Sequence, residues 1–486
     1  MTTPAATSRE RDLPGEAVFL GLCLLYLVGK AAFFALRIRG LVFPDEGSWF
    51  GMAEVFSRAA LLPMDSPASY PLGLVTHVPA LYFFLMGKAL LLNPFPRFDL
   101  LFLRLINVGL AGLTVVFAER LSRQVKVPFA VRALFLVMLT NTMMFTFVAG
   151  SVSYDNLATL LAVVSLYYLL RFQKGYGLVD ALAFLAATLA GTLTKNVFLP
   201  YAAALLLVFA LCLGRRWLGR RTKAAGTRRP LGFRGWLLGL VCLAGLAANL
   251  ILYGGNLLRY RVLIPGLDQV LPLEDCLQNR LFVRDYAVRQ FATGKLSLLE
   301  AQRLALTIRD PGDRADALDR LAQTEVEKVM GPKPRLGRWR YTQKWAEVMV
   351  ARTYSVAAHL SLFKHERDFY PYYAVFILAA LCWLVRGWTI AQPGLGVMAF
   401  AVCFYTGILM QVVNYGIYQV SGLSGLAMTG RYLFPVLVPL YLLVAHGLLA
   451  RMPRWWQVTV GLAVGLWFVT GEFPWFLRHA GPEWYF

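Results

Sequence analysis

The chain has 486 residues, 58% of them hydrophobic and 15% charged, which excludes a soluble globular domain and points to a multi-span membrane protein. The formal net charge is +21. Its basic residues cluster at the ends of apolar segments, where topology and anionic head groups explain them without nucleic acid.

The polar start, Met1 to Glu16, carries Arg9 and Arg11 ahead of a long apolar run and reads as an uncleaved first anchor. Apolar stretches recur at 19–39, 99–119, 128–149, 155–170, 178–194, 196–213, 236–254, 369–386, 394–413, 431–449 and 456–471. At about 20 apolar residues per crossing they predict about eleven transmembrane helices, an all-α polytopic membrane protein. Lys and Arg orient them. The linker from Gly214 to Gly235 holds Arg215, Arg216, Arg220, Arg221, Lys223, Arg228, Arg229 and Arg234 and no acid. Arg120, Arg123, Lys126 and Arg132 mark a second basic turn, Arg171 and Lys174 a third, Arg386 a fourth, and Arg451 with Arg454 a fifth. Eleven spans put all five on one side, the cytoplasmic one, with the N-terminus there and the C-terminus external. The six cysteines lie in apolar segments except Cys276, so neither a disulfide framework nor a zinc spacing is implied.

The stretch Leu74 to Leu92 would break that parity if it crossed, so it is expected to be an amphipathic helix lying in the external interface. The region 38–99 is then one external loop. A second external region, 255–368, mixes charge with helical periodicity, carries a turn signal at Asp310-Pro311-Gly312-Asp313, and is expected to form a small helical insert. Three modules follow: an N-terminal transmembrane module over 1–254, the insert over 255–368, and C-terminal transmembrane helices over 369–486.

Asp45 and Glu46, just after the first apolar segment, are the leading chemical candidates. Adjacent carboxylates at a membrane surface raise one another's pKa and are costly unless paired, hydrated or in use. They suit a general base, or an acid that holds a cation or an acceptor hydroxyl. The structural alternative is capping of the helical run that starts at Trp49. Asp155, in Ser151-Val152-Ser153-Tyr154-Asp155-Asn156, sits in the next short external turn and has the same alternative. Lys195, in Thr194-Lys195-Asn196, is an external cation that charge bias does not ask for; it either snorkels or binds a phosphate. Arg431, in Thr429-Gly430-Arg431-Tyr432, can fork phosphate oxygens or anchor a span at the interface. Arg352, His359, Lys364, His365 and Arg367 add weaker positive charge nearby.

The order of these motifs resembles the GT-C superfamily of polytopic glycosyltransferases that use polyprenyl-phosphate sugars, and within it bacterial relatives of protein O-mannosyltransferases and the lipid A aminoarabinose transferase. The acidic pair Asp45-Glu46, the Tyr70-Pro71-Leu72 to Gly87-Lys88 stretch, Arg104 in the second span, Asp155, the Thr194-Lys195 turn and the run Arg431 to Pro435 carry the likeness. It covers residues 15–215 well and 369–450 loosely; the insert has no counterpart. The chain also resembles a family of predicted bacterial membrane proteins without assigned function.

The resemblance implies an inner-membrane transferase of bacteria. It would move a sugar from a polyprenyl-phosphate donor to a hydroxyl of an unknown glycan, lipid or protein acceptor on the external face, with inversion. Asp45 would be the base, with Glu46 and Asp155 orienting. Lys195, Arg431 and Arg104 would bind the donor phosphate; Trp49, Tyr70, His77 and Tyr154 would bind acceptor or sugar. Mg²⁺ or Mn²⁺ on Asp45 and Asp155 stays open. A lipid-linked-sugar transporter or a non-catalytic scaffold are the alternatives, although no repeat of the transporter kind is visible in the sequence. An O-antigen-type ligase would rest on external Arg and His instead.

Overall fold

Within a bilayer, backbone groups must be satisfied inside their own segment, so long apolar runs fold as helices. The computed structural model describes residues 14–40, 42–220, 232–331, 334–385 and 393–486, and every regular element among them is helical. Arg9, Arg11, Arg221, Lys223, Arg228, Arg229 and Arg386 lie outside the described residues. Nine described helices are long and apolar enough to cross a membrane, and the pair Phe129–Thr140 and Met143–Ala149, bent by 62°, makes ten where it is counted as one span. The expected eleven is reached only by also counting Leu178–Thr194, which has 17 residues. That helix lies antiparallel along Tyr154–Gly175: Asp180 at its start pairs with Arg171 at 3.2 Å, and Lys195 at its end pairs with Asp155.

The two ends of the first helix, Pro14–Arg37, define the two sides of the molecule. At one end Glu16 pairs with Arg132 at 2.7 Å. There Arg132 also meets Glu119 (3.2 Å), and on the same side Lys174 donates to the Gln124 carbonyl and Arg216 to that of Tyr176 (2.6 Å). At the other end the Phe486 amide donates to the Arg37 carbonyl (3.1 Å) and Tyr485 bridges to Ile38. The C-terminal residues therefore sit at the opposite end of the first helix from Glu16. The 38–99 region starts on that same side.

The bend at residues 141–142 has a local cause. Lys30, buried in the first helix, donates to the Thr140 carbonyl (2.7 Å), to Asn141 Oδ1 (3.2 Å) and to Glu472 Oε2 (2.5 Å). The carbonyl freed by the break is thus satisfied by a cation that is itself neutralised. Gly150, after the bend, lets the turn lie against the first helix: a Cβ there would be 2.7 Å from the Ala31 carbonyl oxygen.

The region 38–99 differs from a single interfacial helix over 74–92. A helix spans Glu46–Arg58, a non-helical path follows, and only Leu81–Leu90 is helical. Pro79 lacks a donor, Gly73 has a φ of 123°, and Asp65 takes the Val75 amide at 2.7 Å, which holds the path outside a helix. Leu81–Leu90 is not simply laid on the surface. Tyr82, Phe83 and Met86 are buried against Met52, Ala53 and Phe56, and Gly87 permits the approach, since a Cβ there would lie 2.8 Å from the Ala53 carbonyl oxygen.

Within 255–368, the helices Arg280–Ala292, Leu298–Leu306 and Pro311–Met330 share a core of their own around Val283, Phe291, Ala301 and Leu321. Asp310-Pro311-Gly312-Asp313 starts the last of these helices: Asp310 accepts the Asp313 amide at 2.9 Å, with Pro311 in the first turn. The next helix, Arg338–Tyr354, packs Tyr341, Trp345, Met349 and Tyr354 into the main transmembrane core instead.

Gly150→Ala is expected to lower stability in detergent by about 1–3 kcal/mol, because backbone and not a flexible side chain blocks the new methyl. Gly109→Ala, with nothing within 4 Å of the added Cβ, is expected to leave the melting temperature unchanged or raise it slightly. Thermal unfolding of the two purified variants checks the pair.

Candidate active site

Glu46 and Arg104 form a buried pair, each 1% exposed. Arg104 Nε donates to Glu46 Oε1 (2.8 Å) and Nη2 to Oε2 (2.5 Å). Nη1 donates to the carbonyls of Ala35 (2.9 Å) and Ile38 (2.8 Å), and Nη2 also to that of Arg39 (3.3 Å). A guanidinium has five N–H donors, and all five are engaged. Glu46 Oε1 accepts the Val152 amide as well (3.1 Å). The expectation that Arg104 holds a donor phosphate, and that Glu46 orients an acceptor, does not match this geometry. Each is consumed by the other and by backbone, and the pair staples the first loop to the 151–153 turn.

Asp45 is one residue away and behaves differently. It sits at φ 57°, ψ 10°, a left-handed conformation, and its side chain makes no capping bond to the helix that follows. It pairs with Arg431 Nη2. Helix capping is therefore not what this carboxylate does. Burial alone would raise its pKa, but the Arg431 guanidinium, with help from His359 and Arg280, holds it below the usual carboxylate range. Arg431 itself is placed by Gly430, where a Cβ would lie 2.4 Å from the Arg352 carbonyl oxygen and no larger residue fits.

Asp155 is likewise not the cap of its helix. Ser153 fills that role by accepting the Asp155 amide at 3.3 Å. The Asp155 carboxylate is bonded to Lys195 Nζ, accepts from Ser153 Oγ (3.2 Å) and lies 3.7 Å from Arg431 Nη1. Arg431 thus bridges the two acids, and Lys195 holds the second of them. Side-chain exposure is 32% for Asp45, 11% for Arg431, 4% for Lys195 and 2% for Asp155, so Asp45 is the member reached from solution. Nε and Nη1 of Arg431 and the indole nitrogen of Trp49 are buried with no hydrogen-bond partner. Buried donors in that condition are rare and mark either strain or a site for a missing acceptor.

Aromatic rings wall the cluster. Lys195 Nζ lies 4.7 Å from the Tyr154 ring centroid and 5.1 Å from that of Tyr432, and the Trp49 ring is 4.5 Å from Tyr154. Of the expected sugar or acceptor residues, Trp49 and Tyr154 are therefore in the cluster. Tyr70 and His77 have their contacts elsewhere: Asn279 of the insert donates to the Pro71 carbonyl (3.2 Å) beside Tyr70, and His77 Nδ1 bonds Asn256 Oδ1 (3.0 Å). They tie the first loop to the insert. Tyr432 was legible only as a neighbour of Arg431. The nearness of Arg280 to Asp45 was not legible, because 235 residues of sequence separate two positions that only the fold brings together.

A divalent metal on Asp45 and Asp155 would need hard oxygen ligands, several of them. The space between the two carboxylates is spanned by Arg431, and each acid already faces a cation. Among the described residues no group of three His, Cys, Asp or Glu side chains gathers. The donor set does not fit Mg²⁺ or Mn²⁺.

No protein-family model matches the chain, and no curated protein does. Several solved structures match parts of the chain. The S. cerevisiae protein O-mannosyltransferase Pmt1-Pmt2 complex bound to the sugar donor is 16% identical with a TM-score of 0.36, over 53% of this chain and 35% of that one. The Archaeoglobus fulgidus oligosaccharyltransferase in the apo form is 14% identical with a TM-score of 0.45, over 94% and 55%. ArnT from Cupriavidus metallidurans bound to undecaprenyl phosphate is 15% identical with a TM-score of 0.36, over 93% and 77%. The chain matches about half or less of the length of the first two.

Arg104→Ala is expected to destabilise the protein by about 3–5 kcal/mol, because it strands the Glu46 carboxylate in the interior. Glu46→Gln with Arg104→Met should recover part of that loss, measured as thermal stability in detergent. Asp45 has a folded pKa below its ordinary 3.8, so its pairing contributes stability above that value and loses it as pH falls through the lower folded one. Asp45→Asn should therefore reduce stability near pH 7 and lose that effect once the pH falls below the lowered folded pKa of Asp45.

Proposed function

We propose that the protein is a glycosyltransferase that moves a sugar from a polyprenyl-phosphate donor to an acceptor hydroxyl. The observation that carries this is the pairing of a partly exposed carboxylate, Asp45, with a guanidinium whose Nε and Nη1 have no hydrogen-bond partner, beside a second cation, Lys195. Cations with free donors suit a phosphate; an accessible carboxylate suits a hydroxyl proton. The motif order of the sequence adds to this.

In the reaction the acceptor oxygen attacks the anomeric carbon of the donor. Its proton passes to Asp45. The bond from the anomeric carbon to the phosphate oxygen breaks, and its electron pair stays on the phosphate, where Arg431 and Lys195 stabilise the added charge. A single displacement of this kind inverts the anomeric centre. Trp49 and Tyr154 present ring faces to the sugar, and Asp155 holds Lys195 in place. Glu46 and Arg104 set the loop and touch no substrate. The cluster stands away from the described basic turns, and the positive-inside tendency supports reading its side as the external one.

A transporter would place its charged groups at mid-membrane within broken helices. The charged residues of this cluster stand at helix ends instead: Asp45 just before one, Asp155 in a first turn, Lys195 just past another.

Binding of undecaprenyl phosphate to the purified protein tests the donor site. Lys195→Ala and Arg431→Ala should each weaken it at least tenfold, or about 1.4 kcal/mol. With a matched donor and acceptor, Asp45→Asn should retain lipid-phosphate binding and lower turnover by about 10²-fold or more. Undiminished binding in both cation variants would sink the assignment.

A further inference from the structure

The cluster carries a conflict that the transfer reaction has to resolve. A guanidinium offers two forked edges, Nε with Nη2 and Nη1 with Nη2, so Nη2 belongs to both. Nε and Nη1 of Arg431 have no hydrogen-bond partner, while Nη2 is held by Asp45. Nη2 carries one N–H on each edge, and Asp45 holds one of the two; a phosphate that takes that edge with two bonds has to contest it with the Asp45 carboxylate.

Charge leads to the same place. Asp45, Asp155, Arg431 and Lys195 are two acids and two cations, paired among themselves. A lipid phosphodiester adds at least one negative charge to a balanced and mostly buried group. Such an excess is costly at low dielectric unless an acid withdraws from the cations. Asp155 cannot withdraw easily: it is 2% exposed and held by both Lys195 and Ser153. Asp45 can. It is the most exposed of the four, it is free of any capping bond, and the charges of His359 and Arg280, on other elements, act on it.

We propose that Asp45 and the donor phosphate compete for Arg431, so that the Asp45–Arg431 pair is a latch that donor binding opens. This rests on the donor site proposed above. Opening the latch frees the Asp45 carboxylate from its guanidinium in the same event that brings the donor in. Asp45 becomes available as a base only when a lipid phosphate occupies the site. It also sets an order, donor before acceptor deprotonation. The latch makes Asp45 a restraint on donor binding as well as a participant in chemistry, and these roles give opposite signs in a binding measurement.

The experiment is the affinity of undecaprenyl phosphate, in nanodiscs, for the wild type and for Asp45→Asn, Asp45→Ser and Asp65→Asn. Asn and Ser both remove the competing charge, and Asn tolerates the left-handed backbone at this position. The expected result is about tenfold tighter binding for both Asp45 variants and no change for Asp65→Asn, an acid of the same loop bonded to Val75 and Thr76. Unchanged or weaker binding in the Asp45 variants overturns the latch, as does an equal gain in Asp65→Asn, which would make the effect one of general loop charge. The cation variants keep the two proposals apart. If Lys195→Ala and Arg431→Ala lose binding while Asp45→Asn gains none, the donor site stands and the latch alone fails. If the cation variants bind as the wild type does, both fail together.

Discussion

The buried pair of Glu46 and Arg104 is the contact on which the site depends. One guanidinium collects the last carbonyls of the first helix and the carboxylate that begins the next, and that carboxylate in turn takes the amide of Val152. Three segments distant in sequence are thereby fixed at one point. Asp45 precedes Glu46 by one residue, and Asp155 follows Val152 by three. Their positions relative to one another follow from this junction. A buried ion pair is weak evidence for stability as such. Here it specifies geometry, because neither partner can move without leaving donors or a charge unpaired in the interior.

The adjacent acids show how position divides labour between identical chemistry. Glu46 points inward and is exhausted by its partners. Asp45, turned the other way by a left-handed backbone, keeps about a third of its side chain open. A partly exposed carboxylate in a left-handed conformation thus stands beside a fully satisfied one on the same loop. A second ion pair, Lys30 with Glu472, serves the mount from the other side by satisfying the broken helix at Thr140, just before the turn that carries Asp155.

Much of this was legible in the sequence. Apolar runs of about 20 residues have one fold available in a bilayer, so the helices and their alternation followed directly. Arg431, Lys195, Asp45 and Asp155 were visible as charges at helix ends where topology does not demand them. The misreadings share a cause. Arg104 looked like a phosphate ligand, and 74–92 looked like one surface helix, because sequence reports residue type and period but not what fills the other side. Lys30 lay unnoticed within the first span, since a single cation hardly disturbs a hydropathy pattern.

The sequence by itself determined the helical class and the inventory of charges, because these depend on local composition and on the cost of unsatisfied backbone in lipid. Only the tertiary structure decided which charges cancel and which remain in use. Pairing is a matter of distances between segments up to hundreds of residues apart, as between Asp45 and Arg431. Whether a carboxylate is a staple or a reactive group depends on that pairing and not on its neighbours in the chain.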